Sequence, residues 1–137
     1  MATLDMHFAM RTGRSYFGSG LRSLQGLPIR HAYMDATIRV LTRSFPNRPL
    51  RLLEIGSWAG GSTVTWAKAL ARHHAANGVI YCVDPWEEYL DLEVNNDPVY
   101  ADMNAAAREG TIHALFRHNI EAEGVASVVR EFRGTSA

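Results

Sequence analysis

A glycine-rich segment near the middle of the chain carries the residue types best suited to holding an anionic ligand. It reads Leu-Glu-Ile-Gly-Ser-Trp-Ala-Gly-Gly-Ser over residues 53–62, between an apolar run and a sequence typical of a helix. Glycine permits sharp turns and close approach of a ligand. A helix N-terminus adds free N–H donors and a partial positive charge. We therefore expect the turn to hold the carboxylate or phosphate of an amino-acid-like or nucleotide-like molecule.

The spacing of acids and glycines narrows the choice of ligand. The pattern is Glu54-x-Gly56-x-x-x-Gly60, with an acid two residues before the first glycine. Dinucleotide-binding proteins instead use Gly-x-Gly-x-x-Gly, so the spacing argues against a dehydrogenase or a related nucleotide enzyme. A second acid, Asp84, ends another apolar run, where a carboxylate can accept hydrogen bonds from both ribose hydroxyls.

The elements that must position these residues alternate between helix and strand. Helices are predicted over residues 31–44, 63–71, 98–109 and 112–123, and strands over residues 50–55, 79–83 and 126–132. This alternation predicts an α/β, Rossmann-like fold: a three-stranded parallel half-sheet in the order 3-2-1 with flanking helices. A complete fold of this type has further strands on the far side of the first strand. None is predicted in this sequence, so the fold is expected to be truncated. Residues 1–30 are predicted to be an N-terminal arm, and residues 31–137 the cofactor-binding half-domain.

Composition and charge limit the classes of partner. The chain has 14 Lys and Arg and 14 Asp and Glu residues, so its formal net charge is zero. A balanced charge gives no electrostatic reason to expect a nucleic-acid or membrane partner. The N-terminus lacks the pattern of a secretory signal, and no apolar stretch reaches the roughly 20 residues that span a bilayer. The expected location is the cytoplasm.

The glycine-rich segment and Asp84 together resemble the first motifs of class I S-adenosylmethionine-dependent methyltransferases. The similarity covers roughly residues 30–136. It is strongest to small bacterial O-methyltransferase and cephalosporin-hydroxylase-like relatives, which have Gly-Ser-Trp-x-Gly-Gly-Ser and Val-Asp-x-Trp in these motifs. The resemblance implies S-adenosylmethionine as the cofactor, and Trp86 fits an aromatic platform for its adenine. The candidate cofactor-binding residues are Glu54, Gly56, Ser57, Gly60, Gly61, Ser62, Asp84, Trp86, Thr135 and Ser136.

The resemblance also implies O-methyl transfer to a small-molecule acceptor. In the family, the catalytic, acceptor-binding and metal-binding residues follow the third strand, so no catalytic residue is predicted here. The chain is accordingly expected to be an N-terminal fragment with weak or no turnover. No metal site is predicted, because the histidines form no ligand motif and the acidic loop 86–97 lacks the central glycine of a calcium loop.

Alternative interpretations of the same residues stay open. The glycines can mark a tight turn alone, Glu54 and Asp84 can be structural hydrogen-bond acceptors, and Trp86 can belong to the core. The chain can also be a non-catalytic nucleotide-binding or dimerisation module. In a three-stranded sheet the first strand, Leu50 to Ile55, has an open apolar edge, which predicts a possible homodimer through that edge.

Overall fold

A three-stranded parallel sheet forms the centre of the computed structural model, which describes residues 2–17, 27–88, 91–94 and 98–135. The strands are β1 (Leu50–Ile55), β2 (Gly78–Asp84) and β3 (Val129–Arg133). They lie in the order β1-β2-β3, and both neighbouring pairs are parallel. The predicted Rossmann-like half-sheet is therefore confirmed. The helices are α1 (Ala2–Arg11), α2 (Pro28–Ser44), α3 (Gly61–His74), α4 (Pro98–Arg108) and α5 (Thr111–Ala122).

The core lies on one face of the sheet. Parallel register pairs Leu52 with Ile80 and Ile80 with Val129, so these side chains share a face. Ile80 and its neighbour Cys82 are fully buried there. The helices between successive strands cover this face, since right-handed crossovers running in one direction across a sheet lie on the same side.

The opposite face of the sheet is largely open. Leu53, Ile55 and Phe132 project from it and are 66%, 61% and 53% exposed. Tyr81 packs against Phe132 there, with ring centroids 6.1 Å apart. The apolar run of β1 is typical of a buried strand, but in the described residues β1 is buried on one face only.

Helix boundaries follow local residue chemistry. Helix α2 begins at Pro28, three residues earlier than predicted, because proline fits the first helical position. Strand β3 begins later than predicted, since residues 126–128 form a short 3-10 turn. Gly110 separates α4 from α5 and adopts a left-handed φ of 69°. The sequence Asp97-Pro98 predicts a helix N-cap followed by proline at the first helical position, but Asp97 lies outside the described residues. No helix in the ranges given above is long and apolar enough to cross a membrane.

The N-terminal segment packs onto the domain over residues 2–17. Helix α1 buries Met6 and Ala9. Beyond it, the Tyr16 N–H donates to Asn119 Oδ1 over 2.8 Å, and Asn119 Nδ2 returns a 2.9 Å hydrogen bond to the Tyr16 carbonyl. The same amide nitrogen donates to the Ala59 carbonyl over 2.9 Å. Asn119 of α5 thus joins the segment that we expected to be an arm to the glycine-rich turn.

Candidate functional site

The glycine-rich turn connects the carboxyl end of β1 to the N-terminus of α3. The Gly56 N–H donates to the Val83 carbonyl over 2.9 Å, which continues the pairing of β1 with β2. The Gly60 N–H then donates to the Ser57 carbonyl over 2.8 Å and closes a tight turn. Val64 makes the first helical hydrogen bond, to the Gly60 carbonyl. The turn therefore lies at the carboxyl edge of the sheet, where open α/β sheets bind their ligands.

Two glycines of the turn are required for different reasons. Gly56 has a φ of +80°, and no atom lies within 4 Å of the place a Cβ would occupy. Gly60 has a φ of +84°, but a Cβ there would lie 3.1 Å from the Phe116 ring. Both positions need the left-handed backbone that glycine adopts freely. Gly60 packs against α5, whereas Gly56 leaves open space at the surface of the turn.

The start of α3 offers unused hydrogen-bonding groups. The helix has no side-chain cap at Gly60, and the N–H groups of its first three residues have no helical acceptor. The hydroxyls of Ser57 and Ser62 are buried and have no hydrogen-bond partner within the described part of the chain. Buried polar groups are normally hydrogen-bonded, so two unpartnered hydroxyls beside a helix N-terminus indicate a ligand site.

Glu54 lies beneath the first turn of α3. Its carboxylate is buried and accepts a hydrogen bond from the Thr63 hydroxyl. Cys82 of β2 lies beside it, with its sulfur 3.7 Å from Glu54 Oε2. Burial raises the pKa of the Cys82 thiol to about 12, and the Glu54 charge adds to the rise. The thiol is therefore protonated and packs as a small buried side chain.

Asp84 joins the turn to the loop that follows β2. The side chain is 3% exposed. Its Oδ2 accepts a 2.9 Å hydrogen bond from the Trp58 N–H, and its Oδ1 accepts a 2.7 Å bond from the Trp86 N–H. Each oxygen keeps a second lone pair for another donor. The register pairs Glu54 with Cys82, so Glu54, Cys82 and Asp84 share the covered face of the sheet.

Trp86 is a buried residue of this loop. It is 1% exposed, and its ring nitrogen donates to the Trp58 carbonyl over 2.8 Å. Its ring stacks on His113 of α5 with centroids 4.6 Å apart and tilts against Phe116 at 4.9 Å. The core interpretation of Trp86 is the one that this packing supports. A ring covered in this way holds the loop in place and offers little surface to an adenine base.

The segment after β3 returns to the same edge of the sheet. The Gly134 N–H donates to the Asp84 carbonyl over 3.1 Å, and Thr135 follows directly. Arg133 Nε lies 3.2 Å from the Pro85 carbonyl. The segment that contains the candidate residue Thr135 thus lies beside Asp84. The other candidate in this segment, Ser136, lies outside the described residues.

Sequence reasoning missed several residues that support the site. Thr63 and Asn119 make side-chain contacts to Glu54 and to the turn, and His113 contacts Trp86. A signal for Asn119 was present: it continues the apolar stripe Ile112, Leu115, Phe116 and Ile120 of α5, where a polar residue must find buried partners. No comparable pattern pointed to Thr63 or His113.

The fold belongs to the Rossmann-like class of α/β domains, in which nucleotide cofactors bind at this edge of the sheet. A family model described as a methyltransferase domain matches residues 53–137, which is more than half of the chain. The chain therefore belongs to the class I S-adenosylmethionine-dependent methyltransferases. A search of curated proteins and a search of solved structures each gave no match.

The two glycines give a stability prediction. Gly56→Ala places a Cβ in open space and should cost about 1–2 kcal/mol, the penalty for an L-residue in left-handed backbone. Gly60→Ala adds a clash with Phe116 and should cost about 1–3 kcal/mol more. Urea denaturation of both variants measures the difference. Equal losses would show that Gly60 is not packed against α5 as described.

Proposed function

We propose that the turn between Glu54 and Ser62, together with Asp84, binds S-adenosylmethionine. The observation that carries this proposal is the placement of two carboxylates on one face of the sheet, on either side of a turn with unpartnered buried hydroxyls. When bound, the cofactor supplies an activated methyl group. The chain's own residues have only to bind and orient it.

The amino-acid end of the cofactor fits the turn and the helix start. Its carboxylate matches the free N–H groups and positive dipole end at Gly61 and Ser62. Its ammonium group matches the negative charge of Glu54, directly or through water. Gly56 leaves room for close approach, because no atom lies where its Cβ would be. The hydroxyls of Ser57 and Ser62 are additional partners for the polar groups of the ligand.

The ribose fits Asp84. Its two hydroxyls can donate to the lone pairs that the Trp58 and Trp86 N–H groups leave unused. We propose Thr135 and Ser136 as contacts to the adenine edge, since Gly134 lies beside Asp84. Trp86 enters this proposal as the support of the loop, because its ring is buried.

The proposed reaction is O-methyl transfer to a small hydroxylated acceptor. The motif similarity to O-methyltransferase-like proteins and the zero formal charge support this class over a nucleic-acid substrate. Methyl transfer depends mainly on alignment of donor and acceptor. The open edge of β1 supports the further proposal that acceptor-binding and catalytic parts lie outside the described residues.

Calorimetry with S-adenosylhomocysteine and with NAD tests the cofactor proposal. We expect the chain to bind S-adenosylhomocysteine and not NAD. Asp84→Asn should weaken binding by about 1.5–3 kcal/mol, the value of a hydrogen bond to a charged group. Asp35→Asn is the matched control, because Asp35 pairs with Arg72 and His73 on the far side of α3. Absence of binding, or equal binding of NAD, would contradict the proposal.

A methylation assay tests the proposed division between cofactor binding and catalysis. The chain is incubated with methyl-labelled S-adenosylmethionine and a panel of hydroxylated small molecules. We expect cofactor binding with little or no transfer of label, because we propose that the acceptor-binding and catalytic parts lie outside the described residues. Robust transfer to any acceptor would overturn the proposal that this chain lacks the catalytic part.

A second candidate function is dimerisation through the edge of β1. The Leu50 and Gly56 N–H groups donate to the carbonyls of Asn77, which precedes β2, and Val83. Alternation along β1 therefore directs the N–H and C=O groups of Arg51, Leu53 and Ile55 to the open edge. We propose that a second copy pairs antiparallel about a two-fold axis at Leu53. That register sets each Arg51 opposite an apolar Ile55 and keeps the two like charges apart.

Light scattering tests this dimer. The chain should have twice the mass of one copy, and Leu53→Lys should give monomers, because two lysines would face each other at the axis. Val40→Lys is the control, since Val40 is a 56% exposed apolar residue on α2. A monodisperse monomer of the unchanged chain would exclude the edge pairing.

A further inference from the structure

His113 of α5 contacts the candidate site through Trp86. Its ring stacks on the Trp86 ring with centroids 4.6 Å apart and planes inclined by 28°. Its Nε2 is buried and has no hydrogen-bond partner among the residues described. Nε2 lies 3.6 Å from Glu131 Oε2, too far for a hydrogen bond but within ion-pair distance for a protonated ring. The His113 ring is therefore placed by its stack on Trp86, with Glu131 at its edge.

Trp86 has a backbone conformation that needs such support. Its φ is +45°, a left-handed value that costs a non-glycine residue about 1–2 kcal/mol. Conformations of this kind persist only when surrounding contacts hold them. The ring is held by His113, by Phe116 and by its hydrogen bond to the Trp58 carbonyl.

The strained backbone of Trp86 sets the position of a carboxylate. Its N–H donates to Asp84 Oδ1 over 2.7 Å, while the Trp58 N–H holds Oδ2 over 2.9 Å. Loss of the stack would leave the Trp86 ring held by Phe116 and the Trp58 carbonyl alone, and would weaken the support of the hydrogen bond to Asp84 Oδ1. The chain of contacts runs from α5, through His113 and Trp86, to Asp84.

We infer that His113 is a positioning residue that sets Asp84 for recognition of the ribose hydroxyls. This inference rests on the proposed cofactor site and adds a determinant of ribose specificity. His113 itself touches neither cofactor nor acceptor. Its substitution should therefore reduce discrimination between ribose and 2′-deoxyribose, beyond any change in overall affinity.

Calorimetry with S-adenosylhomocysteine and its 2′-deoxy analogue measures this discrimination. The unchanged chain should prefer the ribose compound by about tenfold or more, since one hydrogen bond to a charged group is lost in the analogue. His113→Ala should reduce the preference to within about threefold, and His113→Phe, which keeps a flat ring, should restore most of it. His118→Ala is the control on the same helix, because His118 contacts the Arg14 carbonyl and not Trp86.

The outcomes separate this inference from the proposed function. If the unchanged chain binds neither compound, the cofactor site itself is wrong. If it binds both equally, Asp84 does not recognise the ribose and the inference fails while cofactor binding stands. If His113→Ala weakens both compounds by the same factor, His113 is merely structural and the inference fails. His113→Leu provides the same comparison should the alanine variant not fold.

Discussion

The hydrogen bonds from two backbone N–H groups to the Asp84 carboxylate are the interaction on which the site depends. They join the turn after β1, through Trp58, to the loop after β2, through Trp86. Both tryptophans have positive φ values, +48° and +45°, which are unfavourable for non-glycine residues. A charged acceptor strengthens a hydrogen bond, so the carboxylate offsets part of this strain. Strained backbone is common at functional sites, and here both strained residues donate hydrogen bonds to Asp84, the residue proposed to bind the ribose hydroxyls.

A second constraint is that the sheet is covered on one side only. Helices bury Ile80 and Cys82 on one face, and Glu54 and Asp84 lie on that face at the carboxyl end. Their burial strengthens their interactions with nearby dipoles, since the local dielectric constant is low. The other face exposes Leu53, Ile55 and Phe132. Burial of these exposed apolar side chains against another surface would be energetically favourable.

Much of the fold could be predicted because the strong local signals agree with the tertiary structure. The apolar runs that end at Gly56 and Asp84 became parallel strands in the predicted order. The family followed from the resemblance of the glycine-rich segment and Asp84 to known methyltransferase motifs, and general spacing rules placed Asp84 at the end of the neighbouring strand. These features depend on residues close in sequence and on general rules for connections between parallel strands.

The rest depends on contacts between distant residues, which a single sequence does not display. The burial of Trp86 requires His113 and Phe116 on α5, and the packing of residues 2–17 requires Asn119. An aromatic residue after a strand can either stack on a ligand or pack in the core. The residue type alone could not decide between these two roles for Trp86. The exposure of Leu53 and Ile55 likewise reflects which face the helices cover.

Nuclear magnetic resonance of the isotope-labelled chain tests most directly whether the turn and Asp84 form a cofactor site. Amide signals are followed as S-adenosylhomocysteine is added. The account predicts that the largest shifts occur at Gly56, Trp58, Gly60 and Trp86, with little change along α2. Saturating ligand that leaves these four amides unshifted, or that shifts only residues of α2, would contradict it.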